Sequence, residues 1–173
     1  MKTGIMILLL FFITSISIRP QWVSKKNAQQ LSGWNVADCI DALSTGCVIF
    51  SANPPETNIF SVIYQTDDNG LNWNEVPLPT FQWGESVVDI SIVNKSTSWV
   101  ATSGGKIYKT TNRGLSWEKQ FDNQNKTKFI NYIDMFDENN GIAMGDALIR
   151  ADGVPVFLKT TNSGNDWVSM NNN

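Results

Sequence analysis

Short apolar runs, separated by turns rich in glycine and asparagine, recur through most of this 173-residue chain. Each run is four to six residues long and contains the β-branched and aromatic side chains that favour strands. After the N-terminal apolar run, no segment shows a helical periodicity of useful length. The pattern therefore indicates an all-β protein. The strands that it predicts are residues 36–40, 46–50, 59–64, 87–92, 99–102, 106–109, 132–136, 141–145 and 156–159.

A repeated motif organises these strands. Three segments share the pattern Thr-x-(Asp/Asn)-x-Gly-x-x-Trp, and their tryptophans stand 44 and 50 residues apart. A period in this range is typical of solenoids, propellers and other repeat arrays. The shared positions are Thr66, Asp68, Gly70 and Trp73; Thr110, Asn112, Gly114 and Trp117; and Thr160, Asn162, Gly164 and Trp167.

The residue types of the motif predict a hairpin turn between two strands. The Asp or Asn side-chain oxygen can accept backbone N–H groups within its own turn, and glycine permits a positive φ. The tryptophan opens the next strand and places a large apolar ring between neighbouring sheets. We therefore expect a positive φ at the three glycines and a largely buried ring at the three tryptophans.

Each repeat contains four predicted strands: a matched pair upstream, one strand that leads directly into the motif and one strand that the motif tryptophan opens. Four antiparallel strands per repeat are typical of a propeller blade. The expected architecture is a β-propeller of four-stranded blades, with blades at residues 34–80, 81–125 and 126–173.

The number of repeats predicts an incomplete arc of three blades, because closed propellers have about four to eight blades. The N-terminal segment at 18–33 contains Gln-Trp-Val-Ser-Lys at 21–25, which matches Asp-Trp-Val-Ser-Met at 166–170. We interpret it as a closing outer strand whose inner strands would lie beyond residue 173. We expect open sheet faces at both ends of the arc, where apolar surface invites association.

The repeated motif resembles the Asp-box, also called the bacterial neuraminidase repeat. The wider pattern, with Phe-Asp-Glu-Asn-Asn-Gly-Ile-Ala-Met-Gly at 136–145 and Leu-Lys-Thr-Thr at 158–161, is similar to the photosystem II assembly and stability factor-like repeat family. Asn112 and Asn162 stand where the Asp-box prefers aspartate, but asparagine keeps the acceptor oxygen. The resemblance covers residues 22–173 and implies a propeller fold and a protein partner.

The N-terminus predicts a secretory signal peptide over residues 1–17. Lys2 precedes an apolar run at 4–18, and Ser15 and Ser17 suit cleavage after Ser17. The run is shorter than the about 20 apolar residues of a spanning helix. A permanent anchor is therefore the weaker interpretation, and no membrane span is expected after cleavage. The expected location is secreted, periplasmic or cell-surface, in a bacterium.

Composition excludes several classes of function. The chain has 13 Lys and Arg against 16 Asp and Glu, for a formal charge of −3, whereas a nucleic-acid module needs clustered basic residues. It contains no histidine, which removes histidine metal sites, Ser-His-Asp triads and Cys-His dyads. We expect neither a metal nor a cofactor. Cys39 and Cys47 could lie on neighbouring strands, either as a disulfide permitted by export or as two small buried hydrophobes.

The Asp-box resemblance raises the question of sialidase activity, since that family binds its substrate carboxylate with three arginines. This chain has only Arg19, Arg113 and Arg150, and the resemblance places Arg113 on the non-catalytic side of the fold. A glycosidase also needs two carboxylates across one cleft. The glutamates mostly occupy turns or outer-strand positions: Glu56, Glu75, Glu85, Glu118 and Glu138. We therefore expect no catalytic residues.

Three residues are candidate ligand contacts. Trp83 lies in a loop between blades and is the best candidate for an exposed aromatic contact. Asp89 and Asp134 share one position on the inner strands of successive repeats. One interpretation is an acidic ring around a central channel. The other, which is favoured, is that the two side chains bond backbone groups of turns at the strand ends.

These patterns predict an exported, non-catalytic β-propeller repeat protein that acts as a protein-binding or assembly module. One alternative is a glycan-binding or sialidase-like glycoside hydrolase propeller. Another alternative is the N-terminal fragment of a larger cell-surface repeat protein.

Overall fold

The computed structural model describes residues 35–41, 45–50, 62–66, 72, 74–81, 84–122, 127–147 and 153–170, with side chains described from residue 63 onwards. The predicted signal peptide, the segment at 18–33 and the site residues Asp68, Gly70, Trp73 and Trp83 lie outside the described residues. Within the described ranges, no helix has the length and apolar character needed to cross a membrane.

The described strands form three antiparallel sheets of four strands, each with its strands in sequence order. The first sheet contains β1 (Asn35–Asp41), β2 (Thr45–Phe50), β3 (Val62–Thr66) and β4 (Asn74–Val76). The second contains β5 (Val87–Ile92), β6 (Ser98–Thr102), β7 (Lys106–Thr110) and β8 (Glu118–Asp122). The third contains β9 (Ile130–Met135), β10 (Gly141–Gly145), β11 (Val156–Thr160) and β12 (Val168–Ser169). The prediction of an all-β protein with four-stranded antiparallel sheets is confirmed.

The strand limits follow the sequence patterns closely. β5 and β10 coincide with the strands predicted at 87–92 and 141–145. Strands β8 and β12 begin one residue after Trp117 and Trp167. The prediction for Phe136 was wrong. This residue was expected to end a strand, but it opens the next turn, where its N–H donates to the Asn140 carbonyl at 2.9 Å. The blade boundaries at 34–80, 81–125 and 126–173 remain predictions.

The two cysteines lie on the neighbouring strands β1 and β2, as the sequence suggested. The register pairs Cys39 with Gly46 and Cys47 with Asp38. The cysteines are therefore not cross-strand partners, and the backbone register gives no support to a disulfide directly across this pair of strands.

Two apolar clusters fill the spaces between successive sheets. The cluster between the first and second sheets contains Ile63, Val76, Val87, Ile90, Val100 and Tyr108. The cluster between the second and third sheets contains Trp99, Ala101, Ile107, Phe121, Ile130, Ile133, Met135, Ala143, Leu158 and Trp167. The second sheet is therefore buried on both faces, and the described sheets stack in chain order.

Strand β6 shows how one strand serves both clusters. Successive residues of a strand point to opposite faces, so Trp99 and Ala101 pack toward the third sheet while Val100 packs toward the first. All three residues are 0 % exposed. Full burial of a side chain such as Val100 contributes about 1.5–3 kcal/mol to the stability of the fold.

We call the face of a sheet that points toward the following sheet its forward face. In the second sheet this face contains Asp89, Ser91, Trp99, Ala101, Ile107 and Lys109.

Side chains of β5 bond the backbone of β9 across the boundary between the second and third sheets. The Ile133 N–H donates to the Asp89 carboxylate at 2.8 Å, and the Met135 N–H donates to the Ser91 hydroxyl oxygen at 2.9 Å. β9 is the edge strand of its sheet, and an edge strand presents N–H groups that its own sheet does not pair. The side chains of one sheet therefore satisfy the backbone edge of the next sheet.

Two longer side chains extend this polar boundary. The Lys109 ammonium donates to the Ser163 hydroxyl oxygen at 2.6 Å and lies 4.9 Å from the centre of the Trp99 ring. The Asn94 side-chain amide donates to the Glu138 carboxylate at 2.7 Å. Because hydrogen bonds are directional, these contacts fix the register in which the third sheet stacks on the second.

Replacing Ser91 by alanine should lower the free energy of unfolding by about 1–3 kcal/mol, because the buried Met135 N–H loses its acceptor. Chemical denaturation followed by tryptophan fluorescence measures the change. Ser96→Ala is the control, since Ser96 is exposed on a turn and its loss should stay below about 0.5 kcal/mol. Equal losses in the two variants would contradict a role for Ser91 in joining the sheets.

Candidate functional site

The two ends of the stacked sheets are built differently. One end, the turn end, carries the turns at 93–97, 111–117, 136–140 and 161–167, and the other, the loop end, carries the β6–β7 hairpin and the connections between sheets. At the turn end the Arg113 N–H donates to the Ser96 carbonyl at 3.0 Å, and the Ser163 N–H donates to the Asn139 carbonyl at 2.9 Å. In the second and third sheets, the two turns at this end are thus joined in the same way.

The turn after β7 is closed by its own side chains. The Thr110 hydroxyl oxygen accepts the Gly114 N–H at 2.9 Å, and the Asn112 side-chain oxygen accepts the Ser116 N–H at 2.9 Å. The Thr110 hydroxyl in turn donates to the Asn112 side-chain oxygen at 2.9 Å. The threonine and the asparagine therefore satisfy two backbone donors that a hairpin of this length would leave unpaired.

The turn after β11 repeats this network. The Thr160 hydroxyl oxygen accepts the Gly164 N–H at 2.9 Å, and the Asn162 side-chain oxygen accepts the Asp166 N–H at 3.0 Å. The Asn162 amide nitrogen also donates to the Asp166 carboxylate at 2.8 Å. An aspartate at this position has no N–H group to donate, so asparagine adds a bond that the sequence motif did not predict.

The glycines of these two turns have the predicted backbone conformation. The φ angle is 80° at Gly114 and 82° at Gly164. The preceding residues, Arg113 and Ser163, also have positive φ, at 63° and 66°, which the motif did not predict. Each turn therefore contains two consecutive left-handed residues.

Each turn glycine also packs against the preceding sheet. A Cβ atom at Gly114 would overlap the Val76 side chain of the first sheet. At Gly164 it would lie 2.9 Å from both the Trp99 indole nitrogen and the Gln120 side-chain oxygen of the second sheet. Glycine is thus required twice at these positions, by the backbone conformation and by the close approach of two sheets.

The motif tryptophans differ in burial. Trp167 is 8 % exposed and belongs to the cluster between the second and third sheets, as expected. Trp117 is only partly buried, which corrects the expectation of a largely buried ring. Its indole N–H donates to the Pro77 carbonyl at 2.7 Å, and this bond holds one edge of the ring at the surface of the first sheet.

The candidate ligand residues Asp89 and Asp134 occupy different surroundings. Asp89 lies between the second and third sheets, where it accepts the Ile133 N–H from the neighbouring strand. This contact to the backbone of a neighbouring strand was not predicted, and the two interpretations of Asp89 and Asp134 as a pair stay predictions. Asp134 lies on the forward face of the third sheet, where the Tyr132 hydroxyl donates to its carboxylate at 3.3 Å.

A buried polar cluster at the loop end escaped the sequence analysis. The Glu85 carboxylate and the Lys106 ammonium are 2.6 Å apart, with side chains 3 % and 4 % exposed. The Thr102 hydroxyl donates to the other Glu85 oxygen at 2.5 Å. Gly104 leaves room for this carboxylate, because a Cβ there would lie 2.6 Å from the carboxyl carbon. Glu85, expected in a turn or at an outer-strand position, is therefore a core residue.

Tyr108 lies next to this cluster. Its burial, followed by the negative charges of Glu85 and Asp122, raises the pKa of the Tyr108 hydroxyl to about 12. Its ring packs edge-on against Phe81, with ring centres 5.8 Å apart. The phenol therefore stays protonated across the physiological pH range.

The buried cluster does not have the composition of a catalytic site. The partner of Glu85 is a lysine ammonium, whereas glycoside hydrolysis uses two carboxyl groups about 5–9.5 Å apart. In the part of the chain with described side chains, no group of three acidic or cysteine residues is arranged to hold a metal ion. The cluster has a structural role, because the ion pair between Lys106 and Glu85 joins the start of β7 to the segment before β5.

Comparisons with known proteins show a likeness of fold but not of sequence. No family model matches the chain, and no curated protein is significantly similar to it. A structure of YCF48 bound to a D1 peptide gives a TM-score of 0.59 at 16 % identity, over 78 % of this chain and 39 % of that chain. A structure of YCF48 from Cyanidioschyzon merolae gives a TM-score of 0.50 at 19 % identity, over 75 % of this chain and 41 % of that chain.

An enzyme also shares this architecture. The Niastella koreensis GH74 enzyme gives a TM-score of 0.50 at 14 % identity, over 79 % of this chain and 22 % of the enzyme. Compared with the two YCF48 structures, this chain spans about two-fifths of their length. At such identities the likeness shows the fold alone, which is β-propeller-like.

Gly114→Ala should destabilise the protein more than Gly84→Ala. The two glycines have nearly equal φ angles, 80° and 81°, so both variants lose about 1–2 kcal/mol through the left-handed conformation. Only at Gly114 does the new methyl group meet Val76, whereas no atom lies within 4 Å of a Cβ at Gly84. This overlap should lower the free energy of unfolding of the Gly114 variant by a further about 1–3 kcal/mol, which chemical denaturation measures. Equal losses would show that the turn does not dock on the first sheet.

Stability should fall as the pH rises from about 10 to about 12, and Tyr108→Phe should reduce that fall. The folded pKa of Tyr108 is about 12, but the unfolded chain releases this proton near pH 10, so alkali favours unfolding in this window. Denaturation at a series of pH values measures the effect, and a tyrosinate absorbance titration locates the pKa. An identical pH dependence in the variant would contradict the assignment.

Proposed function

We propose that this protein is an exported, non-catalytic β-propeller repeat protein that binds another protein or takes part in protein assembly, with Asp-box repeats. The observation that carries the proposal is the likeness to YCF48, one structure of which contains a bound D1 peptide. Fold alone does not determine function, so the residues at the two ends of the sheets must supply the contacts.

The turn end offers a surface suited to a protein partner. Leu115 and Phe136 project from its turns and are 75 % and 64 % exposed. Arg113 is exposed beside Leu115 on the same turn. Aromatic residues and arginine are enriched at protein interfaces. Thr110 and Asn112 are engaged in closing their turn, so Leu115 is the exposed apolar group that this turn offers to a partner.

The charged residues support binding rather than catalysis. Glu85 is sealed from solvent by Lys106 and Thr102, and Arg113 stands on a turn at the opposite end of the sheets. A glycan-binding or glycoside hydrolase propeller is the alternative, and the likeness to the Niastella koreensis GH74 enzyme supports it at the level of fold. Export is proposed from the pattern of residues 1–17.

The purified protein can be tested against two arrays, one of extended peptides and one of glycans. We expect binding to peptides, and Leu115→Ser should weaken it at least about tenfold, as for an exposed apolar anchor. Val154→Ser is the matched control, because Val154 is 59 % exposed but lies at the loop end. Binding of glycans without peptides would overturn the proposal in favour of the alternative.

Export can be tested separately. A phosphatase fused to residues 1–33 should be exported, and its retention in the cytoplasm would contradict export.

A further inference from the structure

Buried polar atoms without a hydrogen-bond partner meet at the boundary between the second and third sheets. Among the side chains that the structure describes, these atoms are the indole nitrogens of Trp99 and Trp167 and the side-chain oxygen of Gln120. Trp99 is 0 % exposed and Trp167 is 8 % exposed. Burying a polar group without a partner is costly, and native proteins pair such groups with other protein groups or with ordered water.

The three atoms converge on one small region beside Gly164. A Cβ atom there would lie 2.9 Å from the Trp99 nitrogen, 2.9 Å from the Gln120 oxygen and 3.3 Å from the Trp167 nitrogen. These separations are close to hydrogen-bond distances and shorter than ordinary carbon contacts. A small polar molecule beside this point, just clear of the Gly164 backbone, therefore has three groups to bond.

A bulge in strand β8 brings the acceptor to this region. The register pairs Ile107 with Phe121 but Tyr108 with Lys119, so Gln120 is an extra residue on β8. A β-bulge bends its strand and re-aims a side chain. The side-chain oxygen of Gln120 is thus directed to the boundary by an irregularity of the strand.

The equivalent tryptophan of the preceding repeat bonds the protein directly. The Trp117 indole N–H donates to the Pro77 carbonyl at 2.7 Å. Trp167 occupies the same position of its motif, but its indole N–H has no protein acceptor. The boundary between the second and third sheets therefore needs another acceptor at the motif tryptophan.

We propose that one buried water molecule occupies this region and joins Trp99, Trp167 and Gln120. Two donors and one acceptor require a ligand that accepts two hydrogen bonds and donates one, as water does. Buried waters make about three hydrogen bonds to groups that would otherwise be unpaired. An anion such as chloride fits less well, because it would accept from both indoles but meet a second acceptor at Gln120.

This water takes the place of the carbonyl that Trp117 uses. It connects the ring of Trp167, on the turn of the third sheet, to strands β6 and β8 of the second sheet. Direct bonds from both indoles to the Gln120 oxygen would require it to lie within about 3 Å of both nitrogens, and it bonds neither. One molecule thus satisfies three side chains that the protein alone leaves unpaired.

Nuclear Overhauser effects between water and indole protons test the proposal in the full chain with isotope-labelled tryptophan. We expect the indole protons of Trp99 and Trp167 to show cross-peaks with a long-lived water molecule. Trp117 is the internal control, because its indole N–H donates directly to the Pro77 carbonyl and should show no such cross-peak. If the Trp99 and Trp167 signals lack the cross-peak as well, the proposal is overturned.

Gln120→Leu removes the acceptor, so both cross-peaks should weaken and both indole signals should shift. These shifts also assign the two signals without the loss of a tryptophan. Glu118→Leu is the matched control, since Glu118 is exposed on the same strand, and it should leave both signals unchanged. An indole signal that shifts in Gln120→Leu but has no water cross-peak in the unaltered protein would indicate a direct bond and would overturn the water.

A high-resolution crystal structure of the unaltered chain provides a second measurement that needs no variant. We expect a density peak within hydrogen-bond distance of all three atoms. Indole signals that move when acetate replaces chloride in the buffer would indicate a bound anion, with the Gln120 amide turned to donate. That result would overturn water as the ligand.

Discussion

A small β-sheet gains stability by covering its apolar residues, and here neighbouring sheets provide that cover for one another. The second sheet shows the complete arrangement, because Val100 packs toward the first sheet while Trp99 and Ala101 pack toward the third. The apolar contact alone would allow the sheets to slide. Asp89 and Ser91 prevent sliding, because they bond two specific N–H groups of β9.

The turns couple this stacking to the local sequence. Thr110 and Asn112 close their turn through side-chain bonds, and closure forces the positive φ that glycine accepts. The same Gly114 lies directly against Val76 of the preceding sheet. A residue chosen for the conformation of a turn therefore also sets how closely two sheets approach. The same double role holds for Gly164, which lies against Trp99 and Gln120 of its preceding sheet.

The elements that the sequence predicted well are those determined within one sheet. Strand β5 follows from its own apolar pattern, and the turn at Gly164 follows from its motif. Phe136 was missed within its own hairpin, but three other misses depend on contacts between sheets or segments distant in sequence. Asp89 bonds a strand 44 residues away, and Glu85 is buried by a lysine 21 residues away. Trp117 is partly exposed, and its N–H bonds the Pro77 carbonyl, 40 residues away in sequence. Periodicity reports which face a residue occupies but not what the neighbouring sheet places opposite it.

The bonds between sheets also bear on what kind of function this scaffold supports. Asp89 and Ser91 recognise backbone N–H groups, which every residue except proline carries, so the side chains of the neighbouring strand are free to vary. Such a boundary tolerates extensive substitution, in keeping with 14–19 % identity to structures of the same architecture. Function must then reside in residues that stacking does not use. At the loop end Glu85 is neutralised by Lys106, whereas at the turn end Leu115 remains exposed. An exposed apolar residue of this kind supports the proposed protein-binding function.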